Sequence, residues 1–409
     1  MIEPRASGSA PLAGIKVLEI ANFLAAPMGA ALMADMGAEV IKIEPPNGDT
    51  TRGMQMEGDG IRAFNHSFHA LNRGKRSITL DLARPGANEV VLRLASQADV
   101  LITNLMTVRL DRYGIDFDTI RARKPNIVFA QLTGWGSMGP GADRPGFDST
   151  AYWAGSGVMA LMGEQGTPAV VSRGGQGDYP TGLNVLTAVL AALRVRDQTQ
   201  DAQFVEITLQ RTGLWSVASE MQRVLNTPGF HAERFDRMTA HLATRNSYET
   251  SDGRWMMLAM HNTMYWVKFC MALGREDWAN DPHYISPTGA PQNQTELIPQ
   301  IDEIFRSKPL SYWAKQLDDH GCVWSPAATL EEVAQDEQLL SLEPFFEIED
   351  ADGMGQSTTV VTVPFTIHGA DIHPRGGGPA LGAHTDEVMR EAGFDSKEIA
   401  EFATNGIFG

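Results

Sequence analysis

Cysteine is nearly absent: Cys270 and Cys322 are the two in 409 residues. A disulfide framework is thereby excluded, and the scarcity fits a reducing compartment. Long apolar runs are also missing. The longest apolar-rich stretch, Leu183 to Leu193, is interrupted by Asn184 and Thr187. It is about half the length a membrane span needs. The opening MIEPRASGSAPLAGIK holds no apolar core of signal-peptide length. A cytoplasmic location with no membrane partner is expected. Positive charge is short as well: 33 Lys+Arg against 50 Asp+Glu leave a formal net charge of −17. So acidic a chain lacks the field that draws nucleic acid or anionic lipid. Any anionic ligand must be held by a local cluster of cations or backbone N–H groups.

What remains is ordinary globular material, 43% hydrophobic and 20% charged. Disorder needs low hydrophobicity together with high net charge, and only the charge is present. The length favours two or three domains.

The pattern opens with a strand at 15–20, IKVLEI. Pro27 is suited to open a helix that stops at Gly37, and a strand follows at 39–43. This is a compact β-α-β unit, which implies a right-handed crossover to a parallel neighbour. Strands are expected again at 77–82, 99–103, 126–132 and 203–208, alternating with helical runs. The alternation predicts an α/β fold: a Rossmann-like large domain with a parallel sheet. A further helix is expected over 149–162, and one continuous helix over 209–225. The pattern breaks near 226–245. The expected organisation is a large domain beginning over 1–225, a linker at 226–245, a smaller α+β domain at 246–328 and a return segment, 329–409, completing the large domain. Within the small domain, a strand pair turns at Asp252 and Gly253, and helices fall at 263–273, 295–306 and 309–320. Residues 343–368 read as strand-rich, and a closing helix begins at Asp386.

The segment richest in chemistry is SRGGQGDYPTG, residues 172–182. Asp178 follows three glycines and opens a helix. One reading makes it a helix cap. The other makes it a covalent nucleophile, kept ionised by the helix N-terminus and open to a bulky acyl group because the glycines carry no side chains. The backbone N–H groups of Gly175, Gln176 and Gly177 are candidates to hold an oxyanion. Local sequence leaves both readings open. A nicotinamide dinucleotide is not expected, because the first β-α turn, IANFLAAP, contains no glycine. Arg73, Lys75 and Arg76, with Arg52, Arg84 and Arg112, are either solvated surface or partners for a nucleotide phosphate. His66 and His69 lack a third ligand at metal spacing, so no metal is expected. Cys322 reads as a small buried hydrophobe.

Taken in order, PLAGIKVLEIANFLAAPMGAALMADMGAEVIKIEPPNGDTTRG, NRGKRSITLDL, ADVLITNLMTVRLDRYGID, PGFDSTAYWAGSG, GDYPTGLNVLTAVLAAL, FVEITLQRTGLW and PALGAHTDEVMREAGF span nearly the whole chain. This series resembles the class III CoA-transferases, of the formyl-CoA transferase and carnitine CoA-transferase type. The resemblance implies an interlocked homodimer and a large domain, built from both chain ends, that binds CoA. It implies Asp178 as nucleophile, with CoA contacts at Leu24 and Ala25, around Leu80 to Ala83 and the adjacent Arg84, and at Asn104, Leu105 and Arg112. It implies transfer of CoA from an acyl-CoA donor to a carboxylic acid acceptor through an aspartyl anhydride and thioester. Coenzyme A is then a substrate, and no cofactor is held permanently. The chain departs from formyl-CoA transferase at Pro45, at Ala83 and at Leu24, which replaces a glutamine. The alternative on the same scaffold is an acyl-CoA racemase or isomerase. Those relatives use a Gly-His-Asp histidine where this chain has Gly146-Phe147-Asp148, and phenylalanine cannot move a proton.

Overall fold

A computed structural model describes residues 8–54, 64–262, 264–286 and 291–409. The chain forms two compact units. The first gathers Met1–Met159, Val171–Phe230 and Leu342–Gly409; the second gathers Ala160–Val170 and His231–Ser341.

In the first unit, β1 (Lys16–Ile20), α1 (Ala25–Asp35) and β2 (Glu39–Glu44) make the opening crossover. Then come α2 (His66–Asn72), β3 (Lys75–Thr79), α3 (Ala87–Gln97), β4 (Val100–Thr103), α4 (Thr107–Tyr113), α5 (Phe117–Arg123) and β5 (Val128–Thr133). A π-helix, Asp148–Ala154, precedes α6 (Asp178–Thr199), β6 (Gln203–Thr208), α7 (Leu209–Ser216) and α8 (Ala218–Asn226). The six strands pair in the order β3-β2-β1-β4-β5-β6, every neighbour parallel. This is the expected mixed α/β architecture with a parallel sheet.

Both faces of the sheet are covered, so consecutive strand residues are apolar and divide between two cores. Val17, Val100, Ile102, Val128 and Ala130 face one core with residues of α1 and α6. Leu18, Leu101 and Phe129 face the other, with Val90 and Val91 of α3. All eleven residues of α1 are buried, which its run of alanines permits. At Gly29 a Cβ would fall 2.7 Å from the side chain of Val185 in α6, so the two helices need glycine there. α1 stops where Gly37 takes a φ of +93°.

The second unit holds a sheet of β7 (Ser247–Glu249), β8 (Trp255–Leu258) and β9 (Trp324–Pro326), all antiparallel. Its helices α9 (Met264–Ala272), α10 (Ile298–Phe305) and α11 (Leu310–Asp319) pack Phe269, Ile301, Phe305 and Leu317 into a separate core. Residues after 341 return to the first unit with the hairpin β10 (Phe345–Ile348) and β11 (Thr358–Val361), then α12 (Thr385–Glu391) and α13 (Ser396–Thr404).

Four local expectations are corrected. β3 starts two residues earlier than its apolar stretch, because Lys75 turns its ammonium into the buried interior. The helix expected over 149–162 is divided: a π-helix ends at Ala154, the chain passes Gly155 and Gly157, and a short helical turn, Val158–Leu161, follows. The helix expected over 209–225 breaks at Val217, whose φ and ψ are −116° and 26°. A second closing helix, α13, follows the expected one and begins in a capping box of Asp395 and Glu398.

Candidate active site

The carboxyl ends of β1, β4 and β5 border a cavity of about 820 Å³. It lies at the switch between β1 and β4, where crossovers leave in opposite directions. Open parallel sheets bind ligands at that point. Asn22 to Ala25 follow β1, Asn104 to Met106 and Arg109 follow β4, and Leu132 to Gly134 follow β5. Further wall comes from Arg144 to Ser149, from the strip carrying Gly174, Gly175, Asp178 and Tyr179, and from Thr51, Met54, Ser67 and Leu71 among others.

The β1–α1 turn has no glycine, yet Phe23 adopts a φ of +66°. L-residues with side chains of that size rarely do so. A buried charge network supports the turn. The Phe23 N–H points to Asp49 Oδ1 at 3.4 Å. Asp49 Oδ2 lies 2.8 Å from Lys42 Nζ, which also bonds Glu19 Oε1 and the Ala21 carbonyl, each at 2.7 Å. Lys75 Nζ reaches Glu19 Oε2 at 2.7 Å and the Pro27 carbonyl at 2.9 Å. Burial pulls the Lys42 ammonium down, but Glu19 and Asp49 more than offset it, and Lys42 titrates above its usual value. Lys75 has less compensation, and burial brings it to about 8. Asn104 ties the two strand ends together: its Oδ1 accepts from Asn22 N–H at 3.1 Å, and its Nδ2 donates to the Asn22 carbonyl at 2.7 Å.

Asp178 is the first residue of α6, and Gly177 is the cap. Among the described residues nothing donates a hydrogen bond to the Asp178 carboxylate. Burial pushes its pKa up, and the neighbouring charge of Asp148 adds to this, bringing it to about 7. The helix N-terminus acts the other way and favours the ionised form.

Asp148 is only 6% exposed. Its Oδ2 accepts the Gly175 N–H and its Oδ1 the Gly177 N–H, both at 3.0 Å. Burial raises the Asp148 carboxyl, and these two bonds recover part of the rise. At Gly177 a Cβ would sit 2.3 Å from both Asp148 Oδ1 and Tyr152 Cγ, so no side chain fits. Two of the three amides expected at an oxyanion are thus directed to Asp148.

A family model described as CoA-transferase family III matches residues 12–385. The chain belongs to that family. As a family III CoA-transferase it is an enzyme that moves CoA between acyl-CoA and carboxylic acids. It is similar to the (R)-2-hydroxy-4-methylpentanoate CoA-transferase of Clostridioides difficile, 30% identical over 97% of this chain and 99% of the relative. The cinnamoyl-CoA:phenyllactate CoA-transferase of Clostridium sporogenes is 30% identical, covering 95% of each. The crystal structure of a CAIB/BAIF family protein from Brucella suis superposes with a TM-score of 0.79 at 28% identity, over 94% of this chain and 100% of the other.

In this CoA-transferase, Leu24, Ala25, Asn104, Leu105, Gly175 and Asp178 line one cavity. Gln176 and Gly177 adjoin it without lining it. Leu80 is buried in the core, with its N–H on the Glu44 carbonyl. Ala83 and Arg84 are exposed just beyond β3, both bonded to Asp81. Arg112 is exposed on α4 outside the cavity, whereas Arg109, which the sequence did not single out, lines it. Most of the basic cluster is committed elsewhere. Arg73 pairs with Asp35 at 2.6 Å and Arg52 with Glu44 at 2.6 Å, Lys75 is held by Glu19, and Arg76 meets Glu39, Glu387 and Glu391. His66 bonds Thr358 at 2.9 Å, and His69 accepts the Gly378 N–H at 3.0 Å. Among the described residues no helix is long and apolar enough to cross a membrane.

Proposed function

We propose that Asp178 is the nucleophile of the transfer. The observation that carries this reading is a carboxylate lining the cavity with no hydrogen-bond donor on it among the described residues and a pKa brought to about 7. A carboxylate of raised basicity is the better nucleophile while half of it remains ionised near neutral pH. An Asp178 oxygen adds to the donor thioester carbonyl, the C–S bond breaks, and CoA leaves as thiolate from an acyl-aspartyl anhydride. The thiolate attacks the aspartyl carbonyl and releases the donor acid as carboxylate. The acceptor carboxylate then displaces CoA from the aspartyl thioester, and the thiolate attacks the acceptor carbonyl of the second anhydride. Product acyl-CoA leaves and Asp178 is restored. Each step exchanges one activated carboxyl for another, so charge and electrons balance without ATP or a redox partner.

With the Gly175 and Gly177 amides on Asp148, the Gln176 N–H is the member of that trio left for an oxyanion. CoA is assigned to the β1 and β4 ends, at Leu24, Ala25, Asn104 and Leu105. Arg109 and Arg144 supply charge inside the cavity. Ala83, Arg84 and Arg112, exposed on loops and a helix following strands β3 and β4, fit the outer, nucleotide end. An interlocked homodimer in the cytoplasm completes the reading.

The test is trapping. An acyl-CoA donor plus hydroxylamine converts the activated carboxyl to a hydroxamate, and peptide mass spectrometry should place it on Asp178. Asp178→Ala should lose label and about 10³-fold or more of the exchange of labelled acid into acyl-CoA, while still binding CoA. Full exchange in Asp178→Ala would end this proposal.

A further inference from the structure

We infer that Asp148 is a positioning residue for the transfer: its buried carboxylate staples the strip Gly175 to Gly177 from beneath and holds a fixed negative charge beside Asp178. The inference rests on Asp178 being the nucleophile.

The geometry leaves Asp148 little freedom. Each of its oxygens takes one amide of the strip at 3.0 Å, so rotating the carboxylate breaks both bonds. Gly175 sits at a φ of +87°, and Gly177 is packed against Asp148 and the Tyr152 ring with no room for a Cβ. Tyr152 is itself braced, its hydroxyl 2.8 Å from Ser216 Oγ on α7. The peptide that follows Gly177 belongs to Asp178, so the staple fixes where the helix begins and where its first side chain leaves. A misplacement of about 1 Å at a reacting group can cost ~10²-fold in rate, so such a fixture matters to turnover.

The staple also carries a charge. From the π-helix Asp148 faces Asp178, and its charge opposes ionisation there. On α6 the neighbour is Tyr179; from the remaining walls Arg144 and Arg109 supply the cations, and the turn Asn22 to Ala25 is uncharged. Asp148 is therefore the one carboxylate among these lining groups that acts against Asp178.

Asp148→Asn keeps the size, loses the charge and replaces one acceptor by an NH2 that cannot take an amide. The acid limb of kcat/KM against pH should move down by about half a unit or more. At its optimum kcat should fall ~10-fold or more, with KM for acyl-CoA within about twofold. Asp148→Glu retains the charge, so its rate should fall while the acid limb stays at the wild-type position. An unmoved limb in Asp148→Asn, or an unchanged kcat, overturns the inference. If the variants do not fold, amide exchange in the wild-type enzyme decides. The peptide spanning 172–178 should show two protected amides, and exchange of all of them at open-loop rates overturns the staple. Hydroxylamine separates the two claims. Label on Asp178 in Asp148→Asn, formed more slowly, supports both, while wild-type enzyme never labelled there removes the nucleophile and leaves the staple to the exchange result.

Discussion

A carboxyl group that titrates near pH 7 in the native protein weakens folding once it ionises. The native pKa of Asp178, about 7, lies above its ordinary value of 3.8. Below pH 4 both native and unfolded chains hold the proton, and the group contributes nothing. Between 4 and 7 the unfolded chain has released it and the native one has not, so stability falls as pH rises, reaching a plateau above 7. Asp178→Asn never ionises. It should therefore be more stable than wild type at pH 8, by roughly 1–2 kcal/mol once the solvent on its open side is allowed for, and equal to it near pH 4. Thermal unfolding at the two pH values checks this, and a pH-independent difference would refute it. In the wild type, kcat/KM should fall tenfold per pH unit below about 7, as the free nucleophile protonates. Residue chemistry was legible in part. The glycine strip and Asp178 lie together in sequence and could be read together. The role of Asp148 could not, because its amide partners are 27 and 29 positions away. Nor could the fate of Arg73, whose carboxylate, Asp35, is 38 positions upstream.

Elements show the same division between local and distant information. The parallel strands announced themselves as short apolar runs between helical segments, and Gly37 ends α1 where expected. The start of β3 was missed because Lys75 reads as surface, yet it is buried against Glu19. Its burial makes sense only once β1, β2 and β3 are neighbours. That network gives a sharp test of element-level support. Lys42→Met should leave Asp49 with an uncompensated buried charge and Glu19 with Lys75 alone, and the loss of stability should be about 3–5 kcal/mol. Urea unfolding measures it. Surviving variant should bind CoA more weakly, because the positive-φ turn at Phe23 loses the anchor beneath it. A midpoint shift below about 1 kcal/mol would mean that the network is replaceable.

At the scale of the molecule, the proposed pairing of chains is open to direct measurement. Apolar side chains of the first unit face outward, with Trp215 78% and Leu225 73% exposed, and α8 buries none of its residues. Light scattering should give twice 44.6 kDa, unchanged on dilution to nanomolar concentration, because linked chains cannot part without unfolding. A species of 44.6 kDa would exclude linkage.

The first unit also has a timetable. Ser77 on β3 exchanges backbone and side-chain hydrogen bonds with His384, 307 positions later. Val388 and Met389 of α12 fill the core beside Ile78 and Leu80. At ~5–20 residues per second, the ribosome needs on the order of 15–60 s to deliver what covers that apolar surface. Throughout that interval the part of this face beside Ile78 and Leu80 lacks its α12 cover, and it is then that a chaperone, or a second nascent copy, has its opportunity to engage.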